Sequence, residues 1–397
     1  MTDPLRTALA AAYAQGPGKS LGPGLGAVRT GRPHPAHATA LSRLADRCAF
    51  GAALAGALTA ALAPLRWEPW NPYNDHRAHP SPRCAYLTDA ALRIGGDRWA
   101  IDPVGLRLEG ARPLPGAGEL ASATVEVTLA PERLTEGYGA LRDALALLEA
   151  GHVCAALVEA GAAAGLAAHA APRRAGGPSG VVAEVVFRDG AAPAGPRRPV
   201  TAVRSAGLAP RGLSADPRPL PAAVLHGLVE ASRPPTGSLA APPGGDGLRH
   251  RLAVRGVRDV PDGLYEPRED GLVLLRPGQA TEWVRAAFGS GRPDVDVAGM
   301  NVVWAITGAV AAAVAGRGPD AYRDMLPAAG AAAQHVCSAA AAQGLFCRPM
   351  RSFDEPAAEA AIRAGAGEDV LCVLLLGRPR AWDFCYDLTD PGDLPWH

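Results

Sequence analysis

The sequence predicts an α+β fold made of two copies of one unit. An Ala-rich helical pattern occurs twice, at 138–166 and at 322–345, and a Gly-Leu step closes each copy. An apolar run rich in Val or Leu follows each helix, at 181–187 and at 370–376, and such runs are typical of buried strands. Matching segments separated by roughly 180 residues indicate a duplicated unit.

The spacing inside the repeated helix is the same in both copies. Gly151 lies 14 residues before Gly165, and Gly330 lies 14 residues before Gly344. Identity between the halves is otherwise low, so the interpretation depends on the shared order of their elements.

A Pro- and Gly-rich stretch separates the two copies. Its clusters of Pro and Gly cannot sustain the interior of a helix or a strand. We therefore predict a first half at 1–187 that carries an N-terminal arm, a linker at 188–219 and a second half at 220–397.

The elements of each half are predicted from periodicity and turn residues. The first half is predicted to contain helix at 38–64, a hairpin joining 90–94 to 98–101, strands at 105–109 and 123–129, the repeat helix at 137–160, and a strand at 181–187. The second half is predicted to contain a helix at 221–231, strands at 248–254 and 272–275, helices at 280–288 and 300–315, the second repeat helix at 321–342, and a strand at 370–376. Pro327 lies inside the last helix, where we expect a kink or a start.

The composition argues against several classes of protein. The chain has 397 residues, 48% hydrophobic and 20% charged, which is the balance of a globular protein. Its formal net charge is zero, whereas nucleic-acid binders present a positive surface. None of the seven cysteines forms a C-x-x-C pair, which disfavours a zinc ribbon or a disulfide framework and favours a reducing cytosol. The apolar run at 49–63 is too short to span a membrane, so we predict a cytoplasmic protein.

One irregular stretch, 67–86, has the composition of a binding loop. It contains two Trp, two Tyr, two His and two Arg among four prolines. Rigid loops rich in aromatic residues and Arg often carry binding sites. The alternative is a structural loop whose aromatic side chains enter the core.

Two other kinds of site are disfavoured. His76 and His79 are three apart, but the prolines around them prevent the helix that would bring both onto one metal, so no metal site is predicted. The segment 18–22 matches the G-x-S-x-G pattern of hydrolases, but it has no strand before it, so we interpret the match as chance.

Several short motifs, taken in order, resemble the nitroreductase-like flavoproteins. They lie at 262–267, 272–275, 322–323, 330–334, 339–345 and 376–379 in the second half, and at 138–139 and 147–152 in the first. The branch that they resemble includes the azoline dehydrogenases of peptide natural-product pathways. The resemblance covers most of 70–187 and 220–380.

The resemblance implies a fold and a cofactor. The fold has central, largely antiparallel sheets wrapped by helices, and it normally forms a homodimer with FMN at the interface. A duplicated chain would form a pseudo-dimer by itself, with one or two sites between its halves, and a homodimer of such chains is the alternative. The residues expected to bind FMN are Arg77, Ser81, Arg83, Arg233, Thr236, Ser238, Arg323, Gln334, Arg378 and Arg380.

The resemblance also implies a reaction, with one departure. The azoline dehydrogenases start the helix with a Lys-Tyr pair, but this chain has Gly137-Tyr138 and so lacks the Lys. Tyr138, Tyr322 and His152 are therefore the candidate acid/base residues. The predicted function is FMN-dependent oxidation of azoline rings to azoles in a ribosomally made peptide, with the peptide and possible modifying enzymes as partners. The alternatives are a non-catalytic scaffold of a peptide-modifying complex and a nicotinamide-dependent flavin or nitro reductase.

Overall fold

The structure is a computed structural model. It describes residues 38–67, 75–173, 180–190, 212–233, 235, 237–239, 247–289, 295–318, 320–380 and 386–387. The seven α-helices found in these ranges are α1 (Ala49–Leu62), α2 (Leu141–Ala163), α3 (Ala222–Ala231), α4 (Ala280–Arg285), α5 (Val310–Arg317), α6 (Asp320–Ala342) and α7 (Glu355–Ile362).

The strands fall into three sheets. Those before the linker are β1 (Ala38–Ala40), β2 (Arg66–Trp67), β3 (Asp75–His76), β4 (Thr88–Ile94), β5 (Asp97–Asp102), β6 (Arg107–Gly110), β7 (Ser122–Leu129), β8 (Leu166–Pro172) and β9 (Val181–Asp189). Those after it are β10 (Leu248–Val254), β11 (Gly263–Arg268), β12 (Gly271–Pro277), β13 (Val302–Gly308), β14 (Phe346–Met350), β15 (Asp369–Gly377) and β16 (Tyr386–Asp387).

The two large sheets have the same topology. Their strand orders are β1-β6-β5-β4-β7-β9-β8 and β12-β11-β10-β13-β15-β14, and every pairing is antiparallel. Apart from β1, which extends one edge, each strand of the first sheet has a counterpart at the same position in the second. The predicted α+β class and the duplication are confirmed.

Small irregularities repeat as well. Helices α2 and α6 are both 23 residues long, and both ends are offset by 179 positions. The ladder between β7 and β9 shifts register between Val127 and Thr128. The ladder between β13 and β15 shifts between Ile306 and Thr307, again 179 positions later. A bulge re-aims side chains, so one repeated at the same register indicates a common origin for both sheets.

The two long helices cross at their mid-helix glycines. A Cβ atom at Gly151 would lie 1.9 Å from the carbonyl oxygen of Pro327, and one at Gly330 would lie 2.0 Å from that of Leu148. Leu148 and Pro327 are themselves equivalent positions, so the contact is reciprocal, as across a two-fold axis. Three contacts between the helices give their relative direction: Leu148 with Gly330, His152 with Gln334, and Glu159 with Ser338. Residue numbers increase in the same order along both helices, so the helices run in the same direction.

Two of the hydrophobic core clusters, one in each half, meet at this helix pair. Helix α2 packs on the first sheet and α6 on the second. Ala331 of α6 belongs to the core of the first half, while Leu147 and Leu148 of α2 belong to the core of the second. Helix α2 is long and apolar enough to cross a membrane, but 78% of its apolar window is buried inside the protein. It serves here as a central core helix.

Several predicted elements were wrong. The predicted helix at 300–315 is the strand β13 followed by the short helix α5. All seven residues of β13 are buried in the middle of the sheet, and its run of β-branched and aromatic residues suits a central strand. Strands β8, β11 and β14 were missed, and so was the small sheet β16-β2-β3. Pro327 neither starts nor ends α6.

The predicted domain boundaries remain a prediction. The first large sheet ends with β9 and the second begins with β10, on either side of the predicted linker. Most of the linker and the N-terminal arm lie outside the described residues.

His250 makes the second half sensitive to acid. Trp304 Nε1 donates to His250 Nδ1 at 2.8 Å, and burial, with the nearby charge of Arg251, lowers the pKa of His250 to about 4. Between the ordinary histidine pKa of about 6.5 and this value, the unfolded chain binds a proton that the folded chain does not. We therefore expect stability to fall by up to about 3 kcal/mol as pH drops from 6.5 to 4. Urea unfolding across this range measures it.

The matched variant is His250→Gln, whose side chain can still accept from Trp304 but does not titrate. Its unfolding free energy should vary less between pH 6.5 and 4 than that of the wild type. Equal slopes would contradict this assignment.

Candidate functional site

Residues 68–74 of the predicted binding loop lie outside the described residues, and its later part is held in a strained conformation. We name residues 77–87, between β3 and β4, the first-half loop. Arg83, Cys84 and Tyr86 all have positive φ angles, of 52°, 48° and 51°. Left-handed conformations are costly for residues other than glycine, and they persist where surrounding contacts impose them, often at functional sites.

A buried carboxylate anchors this loop. Glu149 lies in α2 and is 1% exposed. It accepts hydrogen bonds from Ser81 Oγ at 2.5 Å and Thr88 Oγ1 at 2.9 Å, and from the backbone N–H of Leu87. Burial raises the pKa of Glu149, while these donors and the charge of Arg77 act in the opposite direction. Two hydrogen bonds therefore hold the Ser81 hydroxyl: it donates to Glu149 and accepts from the backbone N–H of Tyr86 at 2.7 Å.

Two cationic side chains are buried near the start of this loop. Arg77 is 6% exposed, and its guanidinium lies 3.7 Å from the centre of the Tyr86 ring. Arg66 of β2 is 5% exposed and pairs across the strands with His76, the residue before Arg77. Buried guanidinium groups are suited to binding a phosphate, since their planar forks can pair two oxygens.

The second half reaches this loop through Gln334 of α6. Gln334 Nε2 donates to the carbonyl oxygen of Ala78 at 3.1 Å and to Ser338 Oγ at 3.2 Å. Its Oε1 lies 3.1 Å from His152 Nδ1, so His152 carries its proton on Nδ1 in this pair. The site is therefore built from both halves, and His152 and Gln334 are joined within it.

Tyr138 and Arg83 lie together at the outer side of the loop. The Arg83 guanidinium lies 5.3 Å from the centre of the Tyr138 ring. Arg83 is exposed, and Tyr138 is half-buried against Leu87 and Leu134. A tyrosine beside a cation at the edge of the site is a reasonable acid/base group.

We name residues 233–239 the second-half loop, and its described residues (233, 235 and 237–239) are arranged differently. Arg233 is exposed, lies 3.0 Å from a Glu230 carboxylate oxygen, and donates to the Glu269 carbonyl oxygen at 3.1 Å. Ser238 is 8% exposed, and its Oγ lies 2.7 Å from His335 Nε2. Thr236, also predicted to bind the cofactor, lies outside the described residues.

The remaining predicted residues occupy other places. Tyr322 is half-buried against the core of the second half, and Arg323 is exposed in the first turn of α6. The backbone N–H of Arg378 donates to Asn301 Oδ1 at 3.3 Å, and its charge helps to lower the pKa of Asp216. Arg380 is exposed.

Glu149 and Arg66 were missed by sequence reasoning. A single acidic residue between the apolar positions 144–148 and 150–151 of a core helix was a usable signal for Glu149, because buried carboxylates need specific partners. Arg66 had no such signal, since the small sheet that buries it was not predicted.

Comparisons with known proteins agree with the architecture. Neither a protein-family model nor a curated protein matches the chain. A solved structure from Anabaena variabilis ATCC 29413, assigned as a nitroreductase, is 14% identical over 87% of this chain and 92% of that chain, with a TM-score of 0.70.

Two further structures match under half of the chain. The Escherichia coli microcin synthetase McbBCD complex with truncated pro-MccB17 bound is 13% identical over 45% of this chain and 71% of that chain, with a TM-score of 0.36. A protein of Ralstonia eutropha JMP134 assigned as a nitroreductase is 19% identical over 44% and 81%, with a TM-score of 0.34. From the Anabaena match and the repeated topology, the chain has a duplicated nitroreductase-like fold.

Proposed function

We propose that this chain is an FMN-dependent oxidoreductase whose cofactor binds at the junction of its two halves. The observation that carries the proposal is the first-half loop, which contains the buried Arg77. This loop is hydrogen-bonded to the Glu149 carboxylate of its own half and to the Gln334 amide of the other half. Bound FMN would supply a hydride acceptor. The residues around it would hold and orient it and exclude water.

The donor set fits the cofactor. Arg66 and Arg77 are the groups that would bind the phosphate, since both side chains are buried and Arg66 pairs across the strands with His76, the residue before Arg77. Ser81 is held by Glu149 at the inner side of the loop, where it would contact the cofactor through its backbone or hydroxyl. Gln334 has both ends of its amide bonded to protein groups, so we propose that it positions the loop.

The two halves are unequal, which supports one cofactor for each chain. Arg77 is buried in the first-half loop, whereas Arg233, the arginine of the second-half loop, is exposed and paired with Glu230. Glu149 lies two residues before Gly151, and the same position before Gly330 is Ala328, which cannot anchor a loop. We therefore place the working site at the first-half loop.

For the substrate, we propose the azoline rings of a peptide, as the sequence resemblance implies. Oxidation of such a ring needs a base for the ring proton, and no lysine precedes Tyr138. Tyr138 beside Arg83 is the proposed base, with Tyr322 and His152 as further candidates. The proposed partners are the peptide and its other modifying enzymes, in the cytoplasm, and no metal ion is assigned a role.

The first test is the absorbance spectrum of the purified protein, with the cofactor released by heat and compared with an FMN standard. We expect a flavin spectrum and about one FMN for each chain. A colourless protein that fails to take up added FMN would contradict the proposal and favour the scaffold. Rapid bleaching of the flavin by NADH or NADPH would favour the reductase over the dehydrogenase.

A further inference from the structure

Three side chains from separate elements form a hydrogen-bonded row between the halves. Ser238 Oγ, in the second-half loop, lies 2.7 Å from His335 Nε2 of α6. His335 Nδ1 lies 2.6 Å from Glu159 Oε1 of α2. This is the connectivity of a serine, a histidine base and an orienting carboxylate.

The direction of the hydrogen bonds follows from the partners. Glu159, as a carboxylate, can only accept, and its second oxygen already accepts from Ser338 Oγ at 2.6 Å. The proton of a neutral His335 ring is therefore on Nδ1, and Nε2 presents a lone pair. Ser238 then donates its hydroxyl hydrogen to Nε2, which is the arrangement that lets histidine remove that proton.

The backbone holds Ser238 in place. Gly237 has a φ of +90°, and a Cβ atom there would lie 2.4 Å from the carbonyl oxygen of Ala168 in β8. Its own carbonyl oxygen accepts from the N–H of Ala170 at 2.7 Å. Ser238 and His335 are only 8% and 4% exposed, so their hydrogen bond lies in a low-dielectric environment, where it is stronger than in water.

We propose that Ser238 is an activated nucleophile, with His335 as its base and Glu159 as the residue that orients the histidine. The substrate class is a carboxylic ester or a similarly activated acyl group. Ser238 Oγ would form a bond to the acyl carbon while its proton passes to His335 Nε2. The bond to the leaving alcohol breaks, and that alcohol takes the proton; water then releases the acid by the reverse steps. This activity is separate from the proposed flavin chemistry and uses the loop for which no cofactor is proposed.

The test is covalent labelling of the full-length protein by a small fluorophosphonate. The reaction forms a bond from serine oxygen to phosphorus and releases fluoride, and the proton leaves through His335. Peptide mapping by mass spectrometry should place the adduct on Ser238. Ser232 is an internal control in the same protein, because it is 6% exposed but donates to the Val229 carbonyl oxygen at 2.7 Å and has no histidine partner among the described residues.

Variants test the roles of the three residues. Ser238→Ala should lose the adduct, and His335→Gln should slow labelling by at least about 100-fold, the usual contribution of a general base. Glu159→Gln should slow it by at least about 10-fold by removing the charge that stabilises the protonated ring. Ser232→Ala should label like the wild type.

Labelling of Ser232 and Ser238 alike, no adduct on Ser238 in the wild type, or an unchanged rate in His335→Gln would each overturn the proposal. The wild-type comparison of the two serines holds even where a variant does not fold. Flavin content measured on the same samples keeps this result distinct from the test of the oxidoreductase.

Discussion

Replacing Gly151 or Gly330 by alanine should destabilise the protein by about 4 kcal/mol or more, among the largest effects of a single methyl group. The added Cβ atom would lie 1.9 or 2.0 Å from a backbone carbonyl oxygen of the facing helix. Backbone atoms in the middle of a helix cannot move aside singly, so α2 and α6 would have to separate. That separation would open the surface where the two hydrophobic cores meet. Urea unfolding of each variant measures the change.

Gly56→Ala is the matched control for these variants. Gly56 lies in the middle of α1 and is exposed, and no atom of the described residues lies within 4 Å of the position of an added Cβ atom. Alanine there should stabilise the protein by about 0.5–1 kcal/mol, because it is the better helix former. If alanine lowers the unfolding free energy at Gly151 and Gly330 but raises it at Gly56, close helix contact is the cause of the loss. A small effect at Gly151 and Gly330 would contradict the observed helix crossing.

The second large effect is expected on the cofactor. Arg77→Met should weaken FMN binding by about 10- to 100-fold, the contribution of charge-assisted hydrogen bonds worth 1.5–3 kcal/mol. Methionine keeps an apolar stem against Tyr86 but removes the charge that would face the phosphate. Fluorescence titration of the protein freed of flavin with FMN gives the dissociation constant. Melting temperatures of the flavin-free proteins report any separate loss of stability.

Arg233→Met is the control, because Arg233 is the arginine of the second-half loop. It is exposed and paired with Glu230, so its variant should bind FMN like the wild type. If Arg233→Met lost FMN while Arg77→Met kept it, the working site would be at the second-half loop. Equal losses in both variants would indicate two sites for each chain.

The sequence by itself determined the duplication and the long elements. Helices α2 and α6 were predicted nearly to their ends, because an apolar helical pattern over more than twenty residues is a strong local signal. The β4–β5 hairpin was predicted because Gly95 marks a turn between two alternating strands, and Gly95 indeed has a positive φ. Such signals depend on neighbouring residues, so they can be detected without the fold.

Only the tertiary structure showed the features that depend on contacts between residues far apart in the sequence. Strand β13 was predicted as a helix, since a short apolar run fits either element until its neighbours in the sheet are known. The bonds of Glu149 to Ser81 and of Ser238 to His335 join residues 68 and 97 positions apart. The sequence marked Ser81 and Ser238 as candidates, but it could not pair them with a carboxylate or a histidine. Those pairings exist because each loop folds back against the long helix of its own half, and no local sequence pattern reveals that contact.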